Sequence, residues 1–294
     1  MPHSNHAHCP ELLRCPVCHR ALRREERVYH CPSGHHFDVA RQGYVNLWLS
    51  GRGKRRLAGD ERQMLEARRR FLEAGYYAPL SAALNHAILQ SLSSLPLKRE
   101  TLAILDAGCG EGYYLGALAR FLAQSDTEGA YCFYGMDLSK DAARLAAGRY
   151  KQAQFFVADV NERLLFADGT VDVLINLFAP RNQSEFRRVL GEQGRLFTVI
   201  PGPDHLQGIR EAYSLLEIEA DKEDRLREAF DNTFRLVTRQ ELCFERRLDA
   251  NALSDLISMT PNYWHQNDAA QGRLEEPRTS EVHFSFVLLQ FAAR

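Results

Sequence analysis

Thr101-Leu-Ala-Ile-Leu-Asp106-Ala-Gly108-Cys-Gly110-Glu111-Gly112 decides how the rest of this chain is read. The apolar run predicts a strand buried on both faces. The glycines after it predict a turn whose backbone can pass close to a ligand, opening into a helix whose first N–H groups are free. A glycine-rich turn alone says little, because dinucleotide folds use a similar one. Here the spacing is G-x-G-x-G rather than G-x-G-x-x-G, and Asp106 closes the strand directly before the glycines. A pyrophosphate would be repelled at that point. The ammonium group of an amino-acid moiety would not.

Working outward, short β-rich runs recur at 130–137, 154–159, 171–178 and 195–200, with helical patterns at 113–121 and 140–150 between the first of them. Strands alternating with helices predict a parallel α/β sheet covered on both faces. Two further strands, 238–248 and 282–291, flank a helix at 250–259, and the last is long enough to insert antiparallel. Asp137 ends the second run and Asp159 the third. An acid after the second strand can take both ribose hydroxyls, and one after the third can accept from an adenine amino group. Each alone would be an ordinary loop aspartate; three acids at successive strand ends describe S-adenosylmethionine in a class I (Rossmann-like) seven-stranded methyltransferase sheet.

Ahead of this sheet lies a second pattern, Cys15-Pro-Val-Cys18 followed by Cys31 and His35. A C-x2-C turn grips one tetrahedral ion and a facing pair can close its shell, so four protein ligands imply structural zinc with no open position. His36 is adjacent to His35, and Cys9, His19 and His30 are close by, so the fourth ligand is open between them; His35 is favoured by the Gly34 turn. Cys109, Cys132 and Cys243 read as small hydrophobes.

The chain of 294 residues has a net charge of −1, 45% hydrophobic and 26% charged residues, the make-up of a soluble globular protein with one large and one small domain. No apolar run nears the ~20 residues that span a bilayer, and MPHSNHAHCPEL has no apolar signal core. Cysteine usage fits a reducing cytoplasm better than a disulfide framework. Charge is unevenly spread: residues 14–56 hold ten Lys/Arg against three Asp/Glu, leaving −8 for the rest. That basic excess, with Arg68, Arg69 and Arg70 on an expected helix, points to phosphate contact, although a solvated basic face would look the same. The expected organisation is a disordered tail over 1–12, a zinc-binding RNA-recognition module over 13–50, a basic linker and helices over 51–98, and a methyltransferase domain over 99–294.

CPVC, CPSGHHFDVARQGYVNL (31–47), GDERQMLEARRRFLEAGYYAPL (59–80), ILDAGCGEGYY (104–114), FAPRN (178–182) and PGPDHL (201–206) together resemble the RlmA-type 23S rRNA guanine-N1 methyltransferases, over nearly the whole chain. The resemblance implies a zinc ribbon that helps recognise RNA, bound S-adenosylmethionine, and methylation of a guanine in a 23S rRNA hairpin bordering the peptide exit tunnel near the macrolide site. It makes Cys15, Cys18, Cys31 and His35 the zinc ligands, and Tyr77, Gly110, Glu111 and His205 cofactor-side residues. From the residues alone Tyr77 reads as a core aromatic and His205 as a surface loop residue. FAPRN is closer to the macrolide-resistance subgroup. A His-rich N-terminal extension and a longer 123–131 connection depart from the family without touching a motif.

On this reading a guanine flipped from its stack is held near Phe178 and Pro180. Asn176, Glu111 and His205 are candidates to take the N1 proton, with solvent as the alternative. The catalytic candidates are therefore Asn176, Phe178 and Pro180, beside a cofactor set of Tyr77, Asp106, Gly108, Gly110, Glu111, Asp137, Asp159 and His205. Partners are the 23S rRNA hairpin and a second copy in a homodimer, with no membrane. A small-molecule methyltransferase with a zinc lid, and a non-catalytic RNA-binding protein with a relic cofactor fold, are the rival readings.

Overall fold

Short apolar bursts between turns build the N-terminal module. β1 (Arg23–Glu25) and β2 (Val28–His30) form a hairpin, and β3 (His36–Asp38) pairs antiparallel with β2. β4 (Val45–Asn46) then leaves this small sheet for the large one. The structure is a computed structural model that describes residue 9 and residues 11–49, 62–94, 101–125, 129–213, 215, 221–260 and 279–294. Most of the expected tail and the Gly/Arg-rich stretch 51–60 lie outside the described residues.

Two helices follow, α1 (Arg62–Glu73) and α2 (Ala78–Ser94), separated by Gly75 at φ 83°, a conformation that ends helices. The alternating half begins at β5 (Thr101–Ala107), then α3 (Tyr113–Ala123), β6 (Ala130–Asp137), α4 (Lys140–Arg149), β7 (Ala153–Val157), β8 (Val171–Leu177), α5 (Gln183–Val189) and β9 (Leu190–Pro201). α6 (Gln207–Tyr213), α7 (Lys222–Phe230), β10 (Phe234–Leu248), α8 (Ala250–Ser258) and β11 (Ser280–Ala293) complete the chain. Helices α5, α6 and α7 are short and had no clear periodic signal.

The large sheet runs β10-β11-β9-β8-β5-β6-β7-β4. β5 pairs parallel with β6 and β8, β6 with β7, and β8 with β9; β11 inserts antiparallel between β9 and β10. Seven of these strands are those expected. The expected count is corrected to eight, because β4 of the zinc module pairs parallel with β7 through Val45–Phe156 and Asn46–Val157. A two-residue strand is too short to show periodicity in sequence.

β5 shows how the sheet divides the core. Leu102 and Ile104 pack on one face with α2, α3, α4 and α8 residues such as Leu84, Leu115, Ala146 and Leu256, whereas Ala103, Leu105 and Ala107 pack on the other. That second face is closed partly by the zinc module, whose Leu13, Leu22, Tyr29, Val39, Val45 and Leu47 join its cluster. The Tyr29 hydroxyl donates to Gln154 Oε1 at 2.9 Å, and the Arg14 amide donates to the Leu165 carbonyl at 2.8 Å. The module therefore borrows core from the sheet, as a unit too small to bury its own must.

The reading of Cys132 as a plain hydrophobe is corrected: a disulfide joins it to Cys9, 123 residues away. The segment before the zinc site lies against the sheet, with Leu12 accepting from the Ala167 amide and Glu11 paired with Arg23. So residues 9, 11 and 12 are anchored, unlike the expected disordered tail. No described helix is long and apolar enough to cross a membrane.

The chain steps from β5 outward to β6 on one side and returns to β8 on the other. The carboxyl ends of β5 and β8 thus flank the topological switch point, where open α/β sheets hold their ligands.

Candidate cofactor crevice and zinc site

In the N-terminal module, two tight turns bring one donor atom each from Cys15, Cys18, Cys31 and His35 within 4.8 Å of one another. The first turn is closed by the His19 amide on the Cys15 carbonyl, with His19 at φ 59°; the second by the Gly34 amide on the Cys31 carbonyl, with Gly34 at φ 82°. Cys18 and Cys31 sulfurs stand 3.6 Å apart, and His35 Nδ1 lies 3.6 Å from Cys15 Sγ and 3.3 Å from Cys31 Sγ. Zn–S bonds of about 2.3 Å on tetrahedral vertices put two sulfurs about 3.8 Å apart, so the donor set fits zinc. The Arg20 amide, then the Ser33 hydroxyl, pull the Cys18 thiol down to about 6, toward the thiolate a metal needs. His36 is exposed on β3 with its ring near His30, and His35 supplies the converging nitrogen.

At the carboxyl end of β5 the chain turns through Gly108, Gly110 and Gly112, all at positive φ (89°, 54° and 84°). A Cβ on Gly108 would meet the Ala179 Cβ at 2.3 Å, so only glycine fits beneath the loop that follows β8. Asp106 is buried here at 3% exposure, and burial, followed by Asp137 and Glu111, pushes its carboxyl up to about 8. Glu111 is equally buried and pushed up to about 7 by the same cause, against the pull of Arg68 and Arg69. Asp137 ends β6 and accepts from the Gly110 amide at 2.9 Å and the Ser139 amide at 2.8 Å. Such a pocket repels phosphate and suits an ammonium group and hydroxyls, which fits S-adenosylmethionine. Asp159 follows β7, its Oδ1 accepting from the Asn161 amide and side chain at 2.8 and 3.0 Å.

Across the switch point, Asn176 near the end of β8 is fully buried. Its Nδ2 donates to the carbonyls of Ala107 (2.8 Å) and Pro180 (3.0 Å), tying the end of β5 to the β8 loop, and its Oδ1 has no partner. Phe178 comes next at φ 55°, where bulky side chains are rare. It is 50% exposed, so it stands out of the core that its residue type suggests. Asn182 closes the loop. Its Nδ2 donates to the carbonyls of Val160, Asn161 and Glu162, while its Oδ1 caps α5 through the Glu185 amide. The loop is thereby bound to the segment carrying Asp159.

Tyr77 and His205 converge from outside the parallel strands. Tyr77 is buried edge-on to Phe71, Phe284 and Phe286 with centroids 5.1–5.3 Å apart. His205 is also buried rather than on the surface; its ring lies 4.5 Å from Phe286, and its Nδ1 accepts from the Ser285 amide at 3.2 Å. Burial pushes this imidazole down to about 3, so it is neutral. Phe286 on β11 also lies 5.9 Å from Phe178. It thus joins three candidates, and only its place in an apolar strand hinted at it.

The Arg68–Arg70 run, expected to contact phosphates, also makes contacts within the protein. Arg70 makes a two-point contact with Asp255, Arg69 pairs with Glu73, and Arg68 donates to the Met259 carbonyl while lying over Gly110. The Arg70 and Arg68 contacts fasten α1 to α8 and its C-terminal end above the glycine turn. Helical spacing could not announce them, because their partners lie up to 191 residues away.

Comparison with known proteins agrees with this division. Residues 13–49 match the family model of the RlmA N-terminal zinc ribbon, and residues 104–199 match a methyltransferase domain. A Streptomyces fradiae protein named 23S rRNA (guanine(748)-N(1))-methyltransferase is 38% identical over 93% of this chain and 94% of its own length. Relatives from Micromonospora griseorubida (37% identical, 88% of this chain and 90% of theirs) and Bacillus subtilis (32%, 92% and 93%) carry the designation 23S rRNA (guanine-N(1)-)-methyltransferase provisionally. With a converged Cys3His site, an acidic crevice at the switch point and this extent of identity, the chain belongs to the family of S-adenosylmethionine-dependent, zinc-ribbon 23S rRNA (guanine-N1)-methyltransferases.

Proposed function

We propose that this protein methylates N1 of one guanine in 23S rRNA, in the cytoplasm, within the hairpin that borders the peptide exit tunnel near the macrolide site. The observation that carries the reading is Phe178, strained at φ 55° and half exposed at the switch point. Backbone strain at a ligand crevice persists where the surroundings over-determine it, and Asn176, Ala179 and Asn182 do so here. An exposed ring so held is a platform for a flipped base, with Pro180 beside it.

In this reading Asp137 takes the ribose hydroxyls, Asp159 the adenine, and Asp106 with the Gly108–Gly110 turn the amino-acid moiety, while Glu111, Tyr77 and His205 complete the walls. When bound, S-adenosylmethionine supplies an electrophilic methyl group. The protein contributes position: an in-line displacement gains most from reactants held in register. Asn176 acts through its two carbonyl contacts, which fix the β8 loop, and its amide oxygen is too weak a base to take a proton. His205 is neutral with Nδ1 occupied. Glu111, titrating near 7, is the group among the three whose proton affinity matches general-base work at neutral pH. Cys15, Cys18, Cys31 and His35 hold zinc, and the basic module around them contacts rRNA phosphates.

Primer extension on 23S rRNA from a strain lacking the gene, with and without added protein, tests this. A protein-dependent stop at a single guanine is expected. Methyl incorporation into small metabolites without an rRNA stop would hand the function to the small-molecule reading, and the macrolide susceptibility of the two strains tests the location.

A further inference from the structure

Two arginines near the end of β8 are treated differently. Arg188 on α5 is largely buried, with 17% of its side chain exposed, and every direction is answered: Glu185, Asp168 and the carbonyls of Leu164 and Phe166 accept from it. Arg181, in the loop itself, is also partly buried, yet its Nε has no acceptor and no described residue forms an ion pair with it. Burial depresses its basicity, with no acid among the described residues to restore it. Partly burying a guanidinium without a counter-charge has a cost, and the backbone that carries it is held in place. Its neighbours are fixed by Asn176 on the Pro180 carbonyl, by Ala179 against Gly108, and by the three bonds of Asn182.

Phe178 is three residues away, so the two Cα atoms are at most about 11 Å apart. An anion carried by a ligand stacked on Phe178 would lie within the reach of an arginine at 181 and would supply the missing partner. The crevice wall beyond the glycine turn is acidic, which excludes a phosphate there but not beside the β8 loop.

We propose that Arg181 is the anion anchor of the substrate nucleotide, gripping a phosphodiester next to the guanine that stacks on Phe178. The proposal rests on the rRNA-methylating reading above. The planar fork of arginine suits two phosphate oxygens at once, and the contact gives a partly buried cation its counter-charge. Base and backbone are then held from one rigid loop, which sets where N1 lies.

The test uses the full-length, zinc-loaded protein with a 23S rRNA hairpin transcript. Arg181→Gln is expected to raise the KM for RNA about 10- to 100-fold, to leave S-adenosylmethionine affinity by calorimetry within about twofold, and to lessen the salt slope of RNA binding by about one. Arg181→Lys, which keeps the charge and loses the fork, should keep the salt slope and recover part of the KM; it also serves if the glutamine variant folds poorly. Weakened cofactor affinity with unchanged RNA binding would overturn the proposal by assigning the charge to the cofactor carboxylate. Unchanged RNA and cofactor parameters in both variants would overturn it as well. Failure of the wild-type protein to methylate the transcript would instead sink the underlying reading, so the two failures are distinguishable.

Discussion

The zinc module and the cofactor crevice are assembled by opposite means. In the module, four side chains within 21 residues converge on one point, and their spacing states the chemistry outright. In the crevice, Tyr77, Asp106, Asp137, Asp159, Phe178 and His205 come from six separate segments, and none has meaning until strand order brings the ends of β5 and β8 together. A local metal site is therefore robust to changes elsewhere and brittle to loss of one ligand. A distributed site depends as well on the sheet behind it, which alone brings its members together.

Removing one zinc ligand should break the comparison most strongly. Structural zinc contributes roughly 10–16 kcal/mol of apparent binding energy in small domains. Cys18→Ser should therefore lose the metal by elemental analysis and most rRNA binding, while cofactor affinity in the separate crevice changes by no more than a few-fold. Full zinc occupancy with normal rRNA binding would show that the four donors are not a unit. Next in size is Asp137→Ala. It should weaken S-adenosylmethionine binding at least a hundredfold, about 2.7 kcal/mol, with a far-UV spectrum like the wild type; retained methyl transfer would refute the role given to Asp137.

Phe178 offers a smaller and sharper contrast. Phe178→Ala and Phe178→Gly both remove the ring, worth about 1–3 kcal/mol of stacking per base, so both should raise the KM for RNA. Glycine alone is at ease at positive φ, and the glycine variant should be the more stable of the two by about 1 kcal/mol in denaturant unfolding. Equal stability would mean that the strain is absent in solution.

The remaining effect is a pH dependence. Asp106 holds its proton up to about 8 and Glu111 up to about 7. Both values lie above those of the unfolded chain, so the folded protein binds more protons than the unfolded one between about pH 4 and 8, and its cofactor-free stability falls as pH rises through that window. A cationic ammonium favours the ionised carboxyls. Cofactor binding should then release protons, and affinity should rise between pH 6 and 8 by up to about tenfold per unit for each proton released, before levelling off. Calorimetry in buffers of different ionisation enthalpy would register it, and a flat profile would mean that Asp106 is already ionised.

Much of this architecture was legible because burial on both faces leaves an unbroken apolar run and a strand end leaves its acid exposed to view. The four zinc donors were legible because a tight turn fixes their spacing. What escaped notice depends on distance in sequence. Val45 and Asn46 become a strand only against Phe156 and Val157. Cys9 finds Cys132 because β6 carries it to the face where the N-terminal segment packs. The contacts of Arg68 and Arg70 were hidden because their partners, Met259 and Asp255, lie 191 and 185 residues away at and near the end of α8. Phe286 resembles any other residue of an apolar strand, and Arg181 resembles any loop arginine, until the contacts around each are known.

β4 carries one more consequence. Because Val45 and Asn46 hydrogen-bond into the same sheet that carries the crevice, the recognition module and the reacting centre share one frame, with Asp159 only two residues beyond the joint. On the proposed function the protein would work as a gauge, accepting an rRNA in which the interval between the stem on the basic module and the guanine at the β8 loop matches a length built into the sheet. Moving the target by a base pair along the stem would change that interval without changing any group the enzyme touches.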